Sequence, residues 1–139
     1  NNPVLEGGEA PCVVFDNGIY KMWYSSNDRI YYATSPNGTD WEKHAANPVI
    51  QDNVFGASVL KNNDKFEMWC EIGNESGFNY YSSPNGINWI PDPGNPIIIA
   101  NVAWEQNYIG DAAVIKDGSV YKMWYCSGNA IGYAAGELK

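Results

Sequence analysis

Three stretches of this chain align with one another without a gap, and that repetition constrains the fold more than any other feature. Val13–Tyr24 lies over Val59–Cys70 and over Val114–Tyr125, with Trp23, Trp69 and Trp124 in register. Each stretch reads as a strand, a tight turn and a second strand. The turns carry Asn, Asp or Gly (Asn17-Gly18, Asn63-Asp64, Gly118), residues that tolerate positive φ and close hairpins. A second shared block follows twice: Ile30–Trp41 matches Phe78–Trp89, each supplying a third strand, a Pro-Asn-Gly turn and a Trp that opens a fourth strand. Asn-Pro pairs at Asn2-Pro3, Asn47-Pro48 and Asn95-Pro96 complete the unit, at a spacing of about 45 residues.

A four-stranded unit of that period predicts an all-β β-propeller of antiparallel blades, three per chain, in a single module over residues 1–139. Blade 1 spans about 9–46, blade 2 about 56–94 and blade 3 about 110–139, the last with an incomplete outer strand. The Met-Trp-Tyr strands are apolar at successive positions. A half-exposed sheet would alternate, whereas a sheet packed on both faces does not. Stacked blades have that environment, and a β-sandwich does not repeat its sequence unit by unit.

Propellers typically close with four to eight blades. The third repeat stops where the N-terminal segment resumes the pattern. Three arrangements follow: a dimer completing a six-bladed ring, a piece of a longer five-bladed protein, or an open array. The homodimer is the expectation, because open blades would leave apolar faces and strand edges uncovered.

Charge narrows the partners. Sixteen acidic against eight basic residues give a net charge of −8, so neither nucleic acid nor an anionic membrane surface is expected as partner. There is no apolar run of membrane-spanning length, and no basic-then-apolar leader opens the sequence as given. Six Trp and ten Tyr beside that acidity suit neutral polyol ligands such as saccharides; solubility alone accounts for the charge equally well. Cys12, Cys70 and Cys126 show no pairing pattern and read as small buried apolar residues, with a faint lean to the cytoplasm. With His44 the single histidine, no metal and no cofactor is expected. Asp16-Asn17-Gly18 and Asn62-Asn63-Asp64 read as hairpin turns rather than calcium loops. The triplets Asn37-Gly38-Thr39 and Asn74-Glu75-Ser76 fit the glycosylation pattern, but turn chemistry explains them.

The combination Asp117-Gly118 with Tyr121-Lys122-Met123-Trp124-Tyr125, then Ile131-Gly132-Tyr133-Ala134, Ser35-Pro36-Asn37-Gly38 with Trp41, and Asn47-Pro48-Val49-Ile50 resembles the five-bladed propeller glycosidases. That superfamily includes the arabinanase/β-xylosidase, invertase/levansucrase and mannoside phosphorylase groups. The resemblance covers essentially the whole chain, in packing and turn elements. It implies a site on the central axis, where carboxylates from different blades flank a sugar in unlike environments.

Counting back from the shared Val puts Glu9 level with Phe55 and Gly110, and Asp111 level with Ala10 and Gly56. Glu9 and Asp111 thus sit where the family places axial carboxylates, offset by one residue, and a single bulge in the first blade would cancel the offset. Their bland reading is a pair of acids at strand starts that face solvent or bind turn amides. Trp104-Glu105 resembles the family's Trp-acid loop, with Tyr108 nearby. Trp104, Glu105 and Tyr108 are therefore expected ligand contacts, a hydrophobic plug between blades being the alternative for Trp104. The expected function is a carbohydrate-binding, glycosidase-like module without turnover. A glycoside hydrolase or phosphorylase assembled across a dimer axis and a structural or protein-interaction propeller are the alternatives.

Overall fold

The computed structural model describes residues 2–73 and 76–138, so Asn74 and Glu75 of the second glycosylation triplet lie outside the described residues. Their strands form three antiparallel sheets in chain order. β1 (Glu9–Asp16), β2 (Ile19–Ser26), β3 (Arg29–Ser35) and β4 (Glu42–Lys43) make the first. β5 (Val54–Asn62), β6 (Lys65–Ile72), β7 (Gly77–Ser83) and β8 (Ile90–Pro91) make the second, with β9 (Ile98–Ile99) paired to the free end of β7. The third holds β10 (Gly110–Asp117), β11 (Val120–Ser127) and β12 (Ala130–Gly136), preceded by a 3-10 turn at Ala103–Glu105. The inner strands lie side by side, β5 between β1 and β10. This is the expected arc of propeller blades, and the third blade has three strands among the described residues.

Turn chemistry sets each hairpin. Asn17 and Gly18 both take positive φ, as do Asn27 and Asp28 between β2 and β3, the geometry whose twist matches paired strands. Asp16 forms an ion pair with Lys21 at 2.6 Å, so its turn has a structural occupant. In the outer turn, Ser35 Oγ accepts the amides of Asn37 and Gly38, and Asn37 Oδ1 accepts those of Thr39 and Asp40. Ser83 and Asn85 repeat the pattern. The Trp41 and Trp89 indoles then donate to the Gly38 and Gly86 carbonyls.

The core lies between blades. Trp23, Tyr32 and Ile50 from the first blade meet Phe66, Met68 and Tyr81 from the second. Trp69, Phe78 and Tyr80 meet Val114, Met123 and Tyr125 from the third. Trp23 and Trp69 are 0% and 2% exposed, which explains the unalternating apolar strands; Trp124, at the same strand position, is 39% exposed. Glu67 stands fully buried between blades 2 and 3. Burial would raise its pKa, but hydrogen bonds from Lys65, Tyr121, Tyr80 and Asn62 outweigh that and hold it below the ordinary range.

Candidate functional site

All three inner strands begin with the same irregularity. Pairing shifts between Glu9 and Cys12, between Phe55 and Ser58, and between Gly110 and Ala113, so each strand carries one extra residue at its leading end. The residues inside these bulges that take left-handed φ are Ala10, Gly56 and Asp111, at 47°, 59° and 51°. A bulge restricted to the first blade would have brought Glu9 level with Asp111. Because every blade has it, the one-residue offset stands, and the two acids occupy different places in their bulges.

Each bulge is tied to the blade before it. The Gly56 amide donates to Ser25 Oγ at 2.9 Å, and the Asp111 amide to Glu71 Oε2 at 3.3 Å. Ser25 and Glu71 both stand two residues after the shared Trp, so the same slot carries a hydroxyl in one blade and a carboxylate in the next. Glu71 is a residue that sequence reasoning missed. Its signal was present as an acid breaking a Ser/Glu/Cys series at 25, 71 and 126. What no alignment of the repeats could supply is that the end of β6 reaches the leading end of the neighbouring β10.

Around Glu71 a small polar cluster forms. Tyr108 Oη donates to Glu71 Oε1 at 3.1 Å. A Cβ at Gly110 would meet the Tyr108 hydroxyl and the Glu71 carboxylate, so a side chain there would push these two groups from their present places. Partial burial pushes the Glu71 pKa up, and the charge of Asp111 adds to it, against the lowering effect of the Asp111 amide and Tyr108. Burial, and then the Glu71 carboxylate, push Tyr108 up to about 12, so it stays a hydroxyl donor throughout the neutral range. Asp111 and Glu9 are both exposed, and neither side chain makes a hydrogen bond among the described residues.

Of the expected site residues, Asp111 and Tyr108 are thus brought together through Glu71, while Glu9 stands apart on the first blade. Glu105 is turned inward. It is 4% exposed. Its carboxylate accepts the Asn101 and Val102 amides and the Tyr125 hydroxyl, the last at 2.7 Å, and its backbone carbonyl accepts Ser127 Oγ. Burial opposes ionisation, yet these donors hold its pKa below the ordinary range. Glu105 therefore anchors the loop that carries its neighbours. Trp104 stacks on Tyr125 at 6.0 Å between centroids and remains 42% exposed, with Tyr108 at 45%. A Cβ at Gly132 would lie 2.7 Å from the Trp104 ring, so the indole also rests on the third blade. The arrangement offers exposed aromatic faces, the exposed Asp111 carboxylate and the half-buried Glu71 carboxylate beside it, a set able to stack on and hydrogen-bond a polyol.

No family model and no curated protein sequence matches the chain. Solved structures do match in fold. BT0996, in its RGII complex, superposes with a TM-score of 0.77 at 21% identity over 94% of this chain and 46% of its own length. An endo-1,4-β-xylanase from Bacteroides thetaiotaomicron gives 0.76 at 17% identity, over 95% of this chain and 50% of its own. The α-L-arabinofuranosidase PaAbf62A from Podospora anserina, in complex with cellotriose, gives 0.73 at 16% identity, covering 99% and 48%. The chain spans about half the length of these three structures. The fold is that of the glycoside hydrolase propellers.

Proposed function

We propose that this chain is a single three-bladed, glycosidase-like module that binds a saccharide without turning it over. The ligand lies across the leading ends of the inner strands. Exposed Trp104 and Tyr108 supply stacking faces, Asp111 and Glu9 accept hydroxyl hydrogen bonds, and Glu105 holds the loop in place. The observation that carries this reading is the Glu71–Tyr108–Asp111 cluster, a built polar knot at the end of the blades with aromatic surface beside it. The cellotriose complex among the structural neighbours supports a saccharide as the class of ligand. Titration calorimetry against neutral xylo-, arabino- and gluco-oligosaccharides tests it. Binding should weaken on the order of tenfold in Trp104→Ala and in Tyr108→Ala. Heat signals indistinguishable from dilution for all three classes would remove the reading.

A second reading, a glycoside hydrolase or phosphorylase, draws on one observation: Glu71 is shielded and inclined to keep its proton, while Asp111 beside it is exposed. Glycoside cleavage uses two carboxyl groups in unlike environments. Glu9 and Asp111, both exposed in the single chain, are the catalytic residues of this reading, with half-buried Glu71 beside Asp111 as the carboxyl in the unlike environment, brought around one axis when two chains pair as a homodimeric six-bladed ring. Release of nitrophenol from nitrophenyl glycosides should vanish in Glu9→Gln and Asp111→Asn; release surviving in both variants rules those assignments out.

A further inference from the structure

Three Asn-Gly pairs stand in turns of this chain, at Asn17-Gly18, Asn37-Gly38 and Asn85-Gly86. Asparagine is chemically labile through its side-chain amide, and most so before glycine, whose nitrogen reaches the asparagine Cγ with no side chain in the way. That attack needs a side-chain amide not held by other groups, a glycine N–H that is free, and a backbone able to carry the nitrogen round to Cγ. Asn37 and Asn85 lack the first two. Asn37 Oδ1 accepts the Thr39 and Asp40 amides at 3.0 and 2.9 Å, and its Nδ2 donates to Asp40 at 2.7 Å. The Gly38 amide donates to Ser35 Oγ at 2.9 Å. Asn85 Oδ1 likewise accepts the Ile87 and Asn88 amides at 3.0 and 2.9 Å, and the Gly86 amide donates to Ser83 Oγ at 2.9 Å. Turning either peptide breaks these bonds together.

Asn17 differs on every count. Asn17 and Gly18 are exposed, the Asn17 side chain makes no hydrogen bond among the described residues, and the Gly18 amide makes no turn hydrogen bond there. A Cβ at Gly18 would meet nothing within 4 Å. The tip is not a face between blades: Asn63 holds the same turn position in blade 2, which has a blade on either side, and is exposed too. The backbone is also suited. Asn17 and Gly18 both take positive φ, 52° and 80°, the type I′ pattern. The matching turns of blades 2 and 3 have positive φ at the first central residue alone, Asn63 at 52° and Gly118 at 62°, the type II′ pattern. This hairpin therefore accommodates both types. They share the φ of the first residue and differ by a half-turn of the central peptide plane, which carries its ψ from about +30° to about −120°. In the second form the nitrogen of the second residue lies on the Cβ side of the first. Glycine accepts φ of either sign, so at Asn17-Gly18 one peptide rotation brings the Gly18 nitrogen toward Asn17 Cγ while Asp16 and Ile19 stay paired.

We propose that Asn17 is a site of spontaneous deamidation, and that the hydrogen-bonded turns at Asn37 and Asn85 protect the other two Asn-Gly pairs from it. The Gly18 nitrogen bonds to Asn17 Cγ and gives up its proton. The Cγ–Nδ2 bond breaks, and that nitrogen leaves as ammonia with the proton. Water then opens the cyclic succinimide. Breaking its bond to Cγ leaves an aspartate at position 17; breaking its bond to the backbone carbonyl carbon leaves an isoaspartate, whose main chain runs through Cγ. Water is the co-reactant, and nothing is oxidised or reduced. Either product sets a new carboxylate beside the Asp16–Lys21 ion pair, which measures 2.6 Å. The isoaspartate also adds a main-chain atom to a two-residue turn, so the β1–β2 hairpin closes less well.

Incubation of the unaltered chain in warm, mildly alkaline buffer, followed by proteolysis and tandem mass spectrometry, tests it. Each converted site gains the mass difference between an OH and an NH2 group. In urea, where the turns do not persist, the three Asn-Gly pairs should convert at similar rates. In the folded chain, conversion at Asn17 should outrun conversion at Asn37 and at Asn85 about tenfold or more, because each of those turns must first break several hydrogen bonds. Ser35→Ala removes the acceptor of the Gly38 amide and should raise the rate at Asn37 several-fold while leaving Asn17 unchanged, with circular dichroism confirming the fold. If that variant unfolds, all three sites will instead convert as in urea, and the unaltered chain still decides the matter. Equal rates at the three sites of the folded chain overturn the proposal, as does Asn37 or Asn85 ahead of Asn17. No conversion at Asn17 over a period that fully converts the chain in urea overturns it as well. An unchanged rate at Asn37 in folded Ser35→Ala overturns the protection assigned to the glycine amide.

Discussion

Three buried or half-buried carboxylates do different work for reasons visible atom by atom. Glu67 and Glu105 are nearly inaccessible, yet both are held ionised because several donors point at each. Their folded pKa values lie below those of the unfolded chain, so the stability they contribute is present above the ordinary carboxylate range. It is lost as pH falls through their depressed folded values. Glu71 has the opposite sign. Its folded pKa is raised, so its contribution is complete below the ordinary range and disappears as pH rises through the raised value. Glu71→Gln should therefore change urea stability little in acid and increase it at neutral pH, whereas Glu67→Gln should be destabilising at neutral pH and nearly silent in strong acid. A crossing of the two pH profiles in the other direction, measured by urea titration from acid to neutral, would refute the assignment. Tyr125→Phe removes the hydroxyl that Glu105 accepts at 2.7 Å and should cost about 1–3 kcal/mol, since it leaves a buried carboxylate short of one donor.

The turn between the third and fourth strands shows how one element serves twice. Gly86 and Gly38 both take φ near +80°, at 78° and 80°, so alanine at either meets left-handed strain of about 1–2 kcal/mol. At Gly86 an added Cβ would also stand 2.7 Å from the Trp23 ring, whereas at Gly38 the nearest atoms are those of Tyr20 at 3.8 Å. Gly86→Ala should accordingly lose clearly more stability in urea than Gly38→Ala when the chain is dilute; equal losses would mean that Trp23 yields freely. Much at this scale is legible in the sequence. Hairpins, the Ser-Pro-Asn-Gly turn and the shared Trp follow from turn residues and repeat register, because both act within a dozen positions. The left-handed bulge is not, since Ala10, Gly56 and Asp111 have no composition in common and the irregularity is imposed by the pairing of whole strands. The inward turn of Glu105 is hidden for a related reason: its partners Tyr125 and Ser127 arrive from β11, some twenty residues later in the chain. Glu71 escapes because its partner belongs to another blade.

For the whole molecule, the decisive contrast is between identical sequence positions in unlike surroundings. Trp23 and Trp69 are sealed by the following blade, and Trp124 is 39% exposed. The interior of a propeller is a set of repeated joints rather than one central core, so each joint adds its own share of stability. In the homodimer proposed above, the joint between two chains would add a further share. Association that favours the folded state makes unfolding depend on protein concentration. For two chains sharing the gain, each tenfold increase in concentration should raise the melting temperature by roughly 2–4 °C in the unaltered protein. In Trp124→Glu the melting temperature should stay constant over the same range, because the side chain is exposed in the single copy and its replacement leaves the internal joints intact. Differential scanning calorimetry at several concentrations makes the comparison. A melting temperature of the unaltered chain that ignores concentration would rule out the homodimer.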